Sequence, residues 1–215
     1  MTLGGGGTSP PVDSPDGGSH PRLSTTPGRL VVISGPSGVG KDTVLREVFR
    51  IAPRLNYSIS YTTRPPRAGE TDGASYSFVS EPEFAAMIER RELLEYARVH
   101  GHWYGTAEAR VRASLDRGED IVLKIDVQGA AWVRRRVEGA IFIFLLPPSL
   151  EELRRRLEER ATESAESLEL RWANAQRELA EQDRYDHRVV NDDVRRAARE
   201  ILDIVESRRA EASRP

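Results

Sequence analysis

The sequence predicts an α/β fold in which helices cover both faces of a parallel sheet. Three apolar runs, at residues 30–33, 121–125 and 141–146, have the composition of buried strands. Segments with helical periodicity separate these runs, and this alternation is typical of a parallel sheet. The third run is almost entirely apolar, which predicts a central strand. A chain of 215 residues suits one domain of this class with small insertions.

The later elements continue the alternation. Ser149 offers a side-chain cap for a helix predicted at 150–159. Glu152 stands three residues further on, which completes the pattern of a capping box. Residues 189–190 predict a short last strand, and a helix predicted at 194–208 closes the fold.

A glycine-rich turn joins the first strand to the first helix, which is predicted at 42–49. A strand, a glycine-rich turn ending in Gly-Lys and a helix form the context of a phosphate-binding loop. The glycines let backbone N–H groups point at phosphate oxygens, and the helix N-terminus adds partial positive charge. Lys41 can reach the outer phosphates, and the only other lysine is Lys124. The candidate phosphate-binding residues are Gly35, Pro36, Ser37, Gly38, Val39, Gly40, Lys41, Asp42 and Thr43.

Composition argues against several kinds of function. The formal net charge of −2 argues against a nucleic-acid or anionic-membrane partner bound through global charge. The chain has no cysteine, which excludes disulfides, thiolate metal sites and cysteine nucleophiles. Its four histidines show no metal-ligand spacing. No run reaches the length of a transmembrane helix and no secretory signal is visible, so we expect a cytoplasmic protein without a membrane partner.

Three segments differ from the alternating core. The first 28 residues are rich in Gly, Pro, Ser and Thr, which predicts a disordered tail. Residues 58–106 are rich in Tyr, Thr, Gly and Pro, which predicts an inserted, partly antiparallel subdomain. Residues 154–171 are dense in Arg and Glu, which predicts a mobile helical lid. The predicted domain spans 29–208, with core segments at 29–57, 107–153 and 172–208 and a flexible C-terminus at 209–215.

Arg64 and Arg67 flank a Pro-Pro pair at the start of the predicted insert. The prolines stiffen the backbone between them, and planar guanidinium groups suit a phosphate dianion. Tyr76 and Tyr104, further along the insert, can add hydroxyl donors. Taken alone, this pattern is also that of two surface arginines in a loop. Beside a phosphate-binding loop it favours a second phosphate site.

Two carboxylates are candidates for recognition of a nucleotide base. Glu95 follows two leucines in a strand-like setting, and Asp126 ends a predicted strand at the edge where ligands bind in open α/β sheets. A carboxylate can accept both the ring N–H and the exocyclic amine of guanine, which lie side by side. Ser60 and Thr106 can contact the remaining edge of the ring. For either acid in isolation, a solvated or salt-bridged residue remains the alternative.

A series of motifs, in the same order along the chain, resembles that of guanylate kinases. It comprises the phosphate loop, residues 60–70, Asp72-Gly73 with Tyr76 and Phe78, and residues 95–97, 104–106 and 126–130. Residues 160–163, Arg171 and residues 190–192 are similar to the lid and adenine-side motifs of that family. The resemblance extends from Arg29 to the C-terminus. It is specific, because the insert for a nucleoside monophosphate is rarer than the phosphate loop.

The resemblance implies a P-loop NTPase core that transfers the γ-phosphoryl group of ATP to GMP, and to dGMP, in purine nucleotide metabolism. Its implied cofactor is Mg²⁺ bound with ATP. Catalysis then needs in-line positioning, water exclusion and positive charge, and no general base. The implied GMP-binding residues are Ser60, Arg64, Arg67, Glu70, Tyr76, Glu95, Tyr104, Thr106 and Asp126. The implied catalytic residues are Lys41, Arg156, Arg160 and Arg171, and Asn191 joins the phosphate loop in binding ATP.

The sequence departs from the family pattern at three positions. Asp42 replaces the Ser or Thr that usually follows Gly-Lys, and Lys124 stands where guanylate kinases usually carry an acid. We hypothesise that Asp42 meets Mg²⁺ directly or through water while Lys124 balances its charge. A separation beyond about 6 Å between the two groups would argue against direct pairing, and independent drift is the alternative. Ala161 replaces a usual lid glycine, which stiffens the hinge.

Two other functions stay open at this point. Ribose 1,5-bisphosphate phosphokinases resemble guanylate kinases and can carry Gly-Lys-Asp, but they do not need the guanine-contacting set described above. Guanylate-kinase-like domains also occur as protein-binding modules without catalysis. Such modules typically lose the glycine loop or its lysine, whereas this chain keeps Gly35, Gly38, Gly40 and Lys41. The sequence does not determine the oligomeric state.

Overall fold

The computed structural model describes residues 23–24, 28–99, 101–159 and 165–212. Within these ranges the strands are β1 (Leu23–Ser24), β2 (Leu30–Ser34), β3 (Asn56–Tyr57), β4 (Tyr61–Thr62), β5 (Ser77–Phe78), β6 (Leu93–Val99), β7 (His102–Ala107), β8 (Ile121–Lys124), β9 (Val137–Glu138), β10 (Ile141–Leu146) and β11 (His187–Val190). The helices are α1 (Lys41–Ile51), α2 (Glu81–Glu89), α3 (Glu108–Asp116), α4 (Val127–Arg136), α5 (Leu150–Glu159), α6 (Ala165–Leu179) and α7 (Val194–Ala212), with a 3-10 turn at Gln182–Arg184.

Five strands form a parallel sheet in the order β11-β10-β2-β8-β3. The three apolar runs lie side by side: Ile33 of β2 is in register with Ile143 of β10, and Val32 with Leu123 of β8. This confirms the predicted fold class and the internal position of β10. The last strand begins at His187, two residues before the predicted start, because β11 pairs with β10 from Ile143 onward.

Helices cover both faces of this sheet. Alternate residues of β2 point to opposite faces, so Val31 and Ile33 belong to one apolar cluster while Leu30 and Val32 belong to the other. Helices α1 and α7 complete the first cluster, and α3 and α4 complete the second. The carboxyl ends of β2, β8 and β11 meet at one edge, where ligands bind in folds of this kind.

A second sheet has the strand order β5-β4-β7-β6 and is mostly antiparallel. Its apolar side packs on α2 through Phe84, Met87 and Leu93, and Trp103 stacks on Phe84 with ring centroids 5.9 Å apart. This sheet extends one residue beyond the predicted insert, to Ala107, and has the expected mixed character. The register of β6 against β7 shifts between Leu93 and Glu95, which marks a bulge beside the candidate guanine acceptor.

Helices α5 and α6 pack on each other through Leu153, Leu157 and Ala175. The N–H of Glu152 donates to Ser149 Oγ at 3.1 Å, so the predicted cap is present. The carboxylate of Glu152 turns instead to arginines on its own helix, so it is not a reciprocal capping partner. Residues 160–164 of the predicted lid lie outside the described residues, and the lid boundaries stay a prediction.

Most of the predicted tail also lies outside the described residues. Leu23 and Ser24 differ from the expectation of disorder, because they form β1 and pair in parallel with Val137 and Glu138 of β9. This contact is made by backbone hydrogen bonds, which cannot be predicted from the composition of a segment. Among the described helices, none is both long enough and apolar enough to span a bilayer.

Candidate active site

The glycine-rich loop lies between β2 and α1, which begins at Lys41. Gly38 and Gly40 have φ values of +84° and +97°, which favour glycine. A Cβ at Gly40 would lie 2.6 Å from Asn191 Nδ2, and one at Gly38 would lie 2.9 Å from Leu157 Cδ2. The loop therefore needs glycine at both positions, for its backbone conformation and for the close approach of its neighbours.

Side chains of the protein itself form hydrogen bonds with the glycine-rich loop. Lys41 Nζ donates to the carbonyls of Gly35 at 2.5 Å and Pro36 at 3.1 Å. The N–H of Ser37 donates to Glu178 Oε2 at 2.9 Å, so a carboxylate from α6 sits on the anion-binding face of the loop. Burial lowers the pKa of Lys41, against the opposing effect of the Glu178 charge. Burial likewise raises the pKa of Glu178, against the effect of Lys41.

A cavity of about 190 Å³ brings the two predicted phosphate sites together. Lys41 of the loop and Arg67 of the insert both line it, so one cleft serves both halves of the molecule. The predicted residues that line it are Ser37, Lys41, Ser60, Arg67, Tyr76, Glu95, Tyr104 and Asp126, and they are joined by Val99, Lys124, Ile125 and Glu178.

A larger cavity of about 410 Å³ adjoins the first and shares Asp126 and Glu178 with it. Arg98, Arg177 and Arg184 contribute to its walls. Sites for small molecules usually have volumes of roughly 300–1,000 Å³. The smaller cavity alone is below that range, whereas the adjoining larger one lies within it.

The two arginines of the insert have different surroundings. Arg64 is buried, and its guanidinium donates to both oxygens of Glu70 at 2.8 and 2.9 Å and to Tyr104 OH at 3.1 Å. It also lies over the ring of Tyr76, 5.4 Å from the centroid. Arg67 is exposed at the cavity, and its backbone N–H donates to Glu70 at 2.8 Å. Arg64 and Glu70 therefore support the cavity wall, and Arg67 faces the cavity itself.

Glu95 is buried, with 4% of its surface exposed. Thr106 Oγ1 donates to Glu95 Oε1 at 2.6 Å across the β6–β7 pair. Burial raises the pKa of Glu95 to about 8, and the Thr106 hydrogen bond only partly opposes this. The nearby Asp126 charge adds to the rise. At neutral pH the ligand-free protein therefore holds Glu95 mainly protonated.

Asp126 caps the N-terminus of α4, accepting the Gly129 N–H at 2.9 Å, a role that the sequence did not indicate. Burial raises the pKa of Asp126, against the effect of that hydrogen bond. A Cβ added at Gly129 would overlap Glu95 Oε2 and lie 3.1 Å from Glu95 Cδ. The first turn of α4 thus approaches Glu95 more closely than a side chain would permit.

Lys124 and Asp42, two of the departures from the family pattern, are in direct contact. Lys124 Nζ lies 2.5 Å from Asp42 Oδ1 and donates to Tyr76 OH at 3.1 Å. The pair is therefore well inside the limit of about 6 Å for direct pairing. Burial opposes the charge of Lys124, but Tyr57, Tyr76 and Asp42 together raise its pKa above the ordinary value.

A predicted ATP-binding residue and a predicted lid arginine meet behind the loop. Asn191 is buried, and its Nδ2 donates to the Val39 carbonyl at 2.7 Å. Arg156 donates to the same carbonyl at 3.2 Å and pairs with a glutamate one turn earlier on α5. These contacts place both residues as supports of the loop. Arg171 lies on α6, and Arg160 lies outside the described residues.

Sequence reasoning missed Glu178 and Gly129. Glu178 lies on a helix with many acidic and basic residues, and nothing local marks it as the one that reaches Ser37. Gly129 belongs to one of the family-like motifs, but its packing against Glu95 depends on how β6 meets α4. Only three-dimensional proximity identifies both roles.

The site offers limited protein ligation for a metal. Among the described residues, no group of three or more His, Asp or Glu side chains converges as a metal site. Mg²⁺ often binds through one or two carboxylates and the phosphates of a substrate, and it keeps several waters. The single carboxylate of Asp42, next to Lys41 in the loop, fits that mode.

Comparisons with known proteins agree with this geometry. A family model described as Guanylate kinase matches residues 27–208. A curated guanylate kinase from Caldanaerobacter subterraneus subsp. tengcongensis is 48% identical over 178 residues, which cover 83% of this chain and 86% of that protein. One from Gloeobacter violaceus is 52% identical over 164 residues, covering 76% and 80% respectively.

A solved structure gives the same result. The crystal structure of guanylate kinase from Anaplasma phagocytophilum matches with a TM-score of 0.68 and 32% sequence identity, over 85% of this chain and 86% of that one. The shared fold, the family match and the level of identity lead to one conclusion. The chain belongs to the guanylate kinase family.

Proposed function

We propose that the two walls of the shared cavity divide the two substrates between them, with ATP on the glycine loop and GMP on the insert. The activity itself, ATP-dependent phosphorylation of GMP to GDP, follows from membership of the family. One observation carries the proposed division: Lys41 of the glycine loop and Arg67 of the insert line the same cavity. A phosphoryl group can pass between two nucleotides only if their phosphates share one site.

The guanine ring is proposed to bind at the buried acid. Glu95 and Asp126 would accept its ring N–H and exocyclic amine, and Ser60 and Thr106 would contact the remaining edge. Thr106 already fixes one oxygen of Glu95 at 2.6 Å, which leaves the other for the ligand. AMP lacks this donor pair and leaves buried acceptors without partners, which predicts strong rejection.

The phosphate of GMP is proposed to bind Arg67, Tyr76 and Tyr104, which line the cavity. Arg64 holds Tyr104 through its 3.1 Å hydrogen bond, and Glu70 fixes both Arg64 and the backbone of Arg67. In this assignment Arg64 and Glu70 are positioning residues. Their value lies in holding the phosphate donors in one geometry before the substrate arrives.

ATP is proposed to bind residues 35–43, with Asn191 and Arg156 supporting the loop from behind. Its phosphates would displace the Glu178 carboxylate from the Ser37 N–H and recruit Lys41 from the loop carbonyls. Arg160 and Arg171 are the proposed arginines of the closing lid, whereas Arg156, which the family resemblance groups with them, is proposed to support the loop. Closure would exclude water and place positive charge around the transferring group.

Mg²⁺ is the proposed metal, held by the phosphates of ATP with Asp42 as the protein ligand, directly or through water. When bound, it neutralises charge on the phosphates. The acceptor phosphate of GMP is anionic at neutral pH. No side chain therefore needs to remove a proton from it before transfer.

A coupled assay of ADP release, with ATP and Mg²⁺ and one acceptor at a time, tests the proposal. We expect turnover with GMP and dGMP, and kcat/KM for AMP lower by about 10⁴-fold because Glu95 would lose its donors. Ribose 1,5-bisphosphate should not be phosphorylated. Turnover with that sugar alone, or with none of the acceptors, would contradict the proposed function.

A further inference from the structure

The two lysines of this chain line the same cavity. Lysine and arginine together number 32, and only Lys41 and Lys124 are lysines. Both line the cavity that holds the proposed phosphate-binding residues. An ammonium is a compact point charge with three donors, whereas a guanidinium is a planar fork. Arginine carries all the other positive side-chain charge of this chain. The presence of both ammonium groups at one cavity therefore indicates that the cavity requires their compact geometry.

The surroundings of Lys124 fix its position. Its side chain is 9% exposed, and Nζ lies 4.7 Å from the ring centroid of Tyr76 as well as 3.1 Å from the hydroxyl of that residue. Its Coulomb partners include Tyr57 and Asp42. A buried ammonium with these neighbours cannot move into solvent without losing several contacts.

Asp42, the partner of Lys124, has the opposite character. Its side chain is 63% exposed, on the first turn of α1. A carboxylate this exposed can turn toward water at little cost, because the exposed partner of an ion pair regains hydration. The ion pair is thus asymmetric: the cation is fixed at the cavity and the anion is replaceable.

We propose that Lys124 is a phosphate-contacting catalytic residue whose ammonium exchanges the Asp42 carboxylate for the phosphate of the bound nucleoside monophosphate. The inference rests on the proposed function, which places that phosphate at Tyr76. Because Lys124 already donates to the Tyr76 hydroxyl, a phosphate accepting from that hydroxyl comes within reach of the ammonium. Asp42, once displaced, is available on the ATP side of the cavity.

A static role makes a different prediction. If the pair only ties α1 and β8 to the insert, both partners stabilise the protein and neither discriminates between ligands with and without a phosphate. The comparison of GMP with guanosine separates these cases, because the two ligands share the base and ribose. Leaving out ATP and Mg²⁺ keeps the measurement independent of metal binding and of turnover.

The experiment is isothermal titration of GMP and of guanosine into the full-length protein and the variants Lys124→Met and Asp42→Asn. We expect Lys124→Met to weaken GMP binding by about 10- to 100-fold, the range for loss of one charge-assisted hydrogen bond, and to change guanosine binding less than about twofold. Asp42→Asn, which removes the competing charge at nearly constant size, should tighten GMP binding about two- to tenfold and leave guanosine unchanged.

Asp42→Asn keeps the exchange testable even if Lys124→Met does not fold. Weaker GMP binding by Asp42→Asn would overturn the exchange, as would an equal loss of GMP and guanosine affinity in Lys124→Met. Both of these outcomes leave the proposed function intact. Failure of the unchanged protein to prefer GMP over AMP would instead show that the proposed function is wrong.

Discussion

The two walls of the cavity consist of different chemical groups. The proposed ATP side is backbone: glycines expose N–H groups, and the protein covers them with a carboxylate from α6. The proposed GMP side is side chains: an arginine, two tyrosines and a buried glutamic acid from separate parts of the insert. A wall of backbone recognises phosphate whatever the rest of the nucleotide is. A wall of side chains at fixed positions distinguishes one base from another.

Substitution of Glu95 tests this division most severely. Glu95→Gln replaces an acceptor oxygen with an N–H donor that opposes the donors of guanine. We expect kcat/KM for GMP to fall by about 10³-fold, with the dissociation constant of ATP changed less than about twofold. Steady-state kinetics and ATP titration measure the two effects.

Glu92→Gln, at an exposed glutamate just before β6, is the matched control and should behave like the unchanged protein. An equal loss of ATP affinity would argue against separate walls.

The backbone wall has its own test in Gly40→Ala. The added Cβ meets Asn191 Nδ2 at 2.6 Å, and φ is +97°, so we expect the free energy of unfolding to fall by about 2–4 kcal/mol. ATP binding should weaken while guanosine binding is retained. Chemical denaturation and titration report these quantities.

The variant Gly73→Ala separates the effect of backbone strain from that of steric overlap in the Gly40→Ala experiment. Gly73 has φ +72° and nothing within 4 Å of its Cβ position. Gly73→Ala should therefore lower the free energy of unfolding by only about 1–2 kcal/mol. Equal losses in the two variants would contradict the importance of close packing behind the loop.

The dependence on pH should distinguish the two walls as well. The pKa of Glu95 in the ligand-free protein is about 8, whereas the proposed contact with guanine needs the ionised carboxylate. Guanosine binding must therefore release a proton below about pH 8, and affinity should fall about tenfold for each pH unit below that value. Guanosine is preferred to GMP here because it has no phosphate to titrate. Calorimetry between about pH 6 and 8.5 measures the slope, and a flat profile would contradict it.

The same pKa also has a consequence for stability. An acid whose pKa is raised by folding keeps its proton in the native state after the unfolded chain has released it. The contribution of Glu95 is therefore fully present below its ordinary pKa of 4.5 and is lost as pH rises toward about 8. Glu95→Gln should remove this dependence from the unfolding free energy of the ligand-free protein.

The smallest expected effect concerns Glu178. Glu178→Gln keeps the size of the side chain but removes the charge that lies on the Ser37 N–H and repels phosphate. We expect ATP to bind about threefold more tightly and GMP to be unaffected. Titration with a non-hydrolysable ATP analogue measures the change. Glu169→Gln, at an exposed glutamate earlier on α6, is the control. Weaker ATP binding by Glu178→Gln would contradict the competition.

The sequence indicated the loop more completely than the insert, for a physical reason. The loop is contiguous, so the spacing of Gly35, Gly38 and Gly40 before Lys41 records its geometry directly. The parallel sheet was equally readable, because fully buried strands have continuous apolar runs. Residue types alone indicated candidate residues in the insert, but only the resemblance to a family joined them into one site, because positions far apart in sequence converge there.

What neither pattern nor resemblance supplied is the orientation of individual side chains. Arg64 and Arg67 look equivalent on either side of two prolines, yet one is buried against Glu70 and the other faces the cavity. The charge pair of Asp42 and Lys124 was inferred as compensation, but the difference in exposure of its partners came only from the structure. Orientation depends on packing between elements, which local sequence does not encode.

The missing side chain at Gly129 limits how this enzyme can evolve. Because the helix backbone there lies against the carboxylate that is proposed to select the base, even a methyl group would displace Glu95 from its present position. Ancestors and descendants that depend on this acid are confined to the smallest residue at that point. A relative with a bulkier residue there has either moved its selecting group or abandoned selection, and that single position is a simple marker for sorting such relatives.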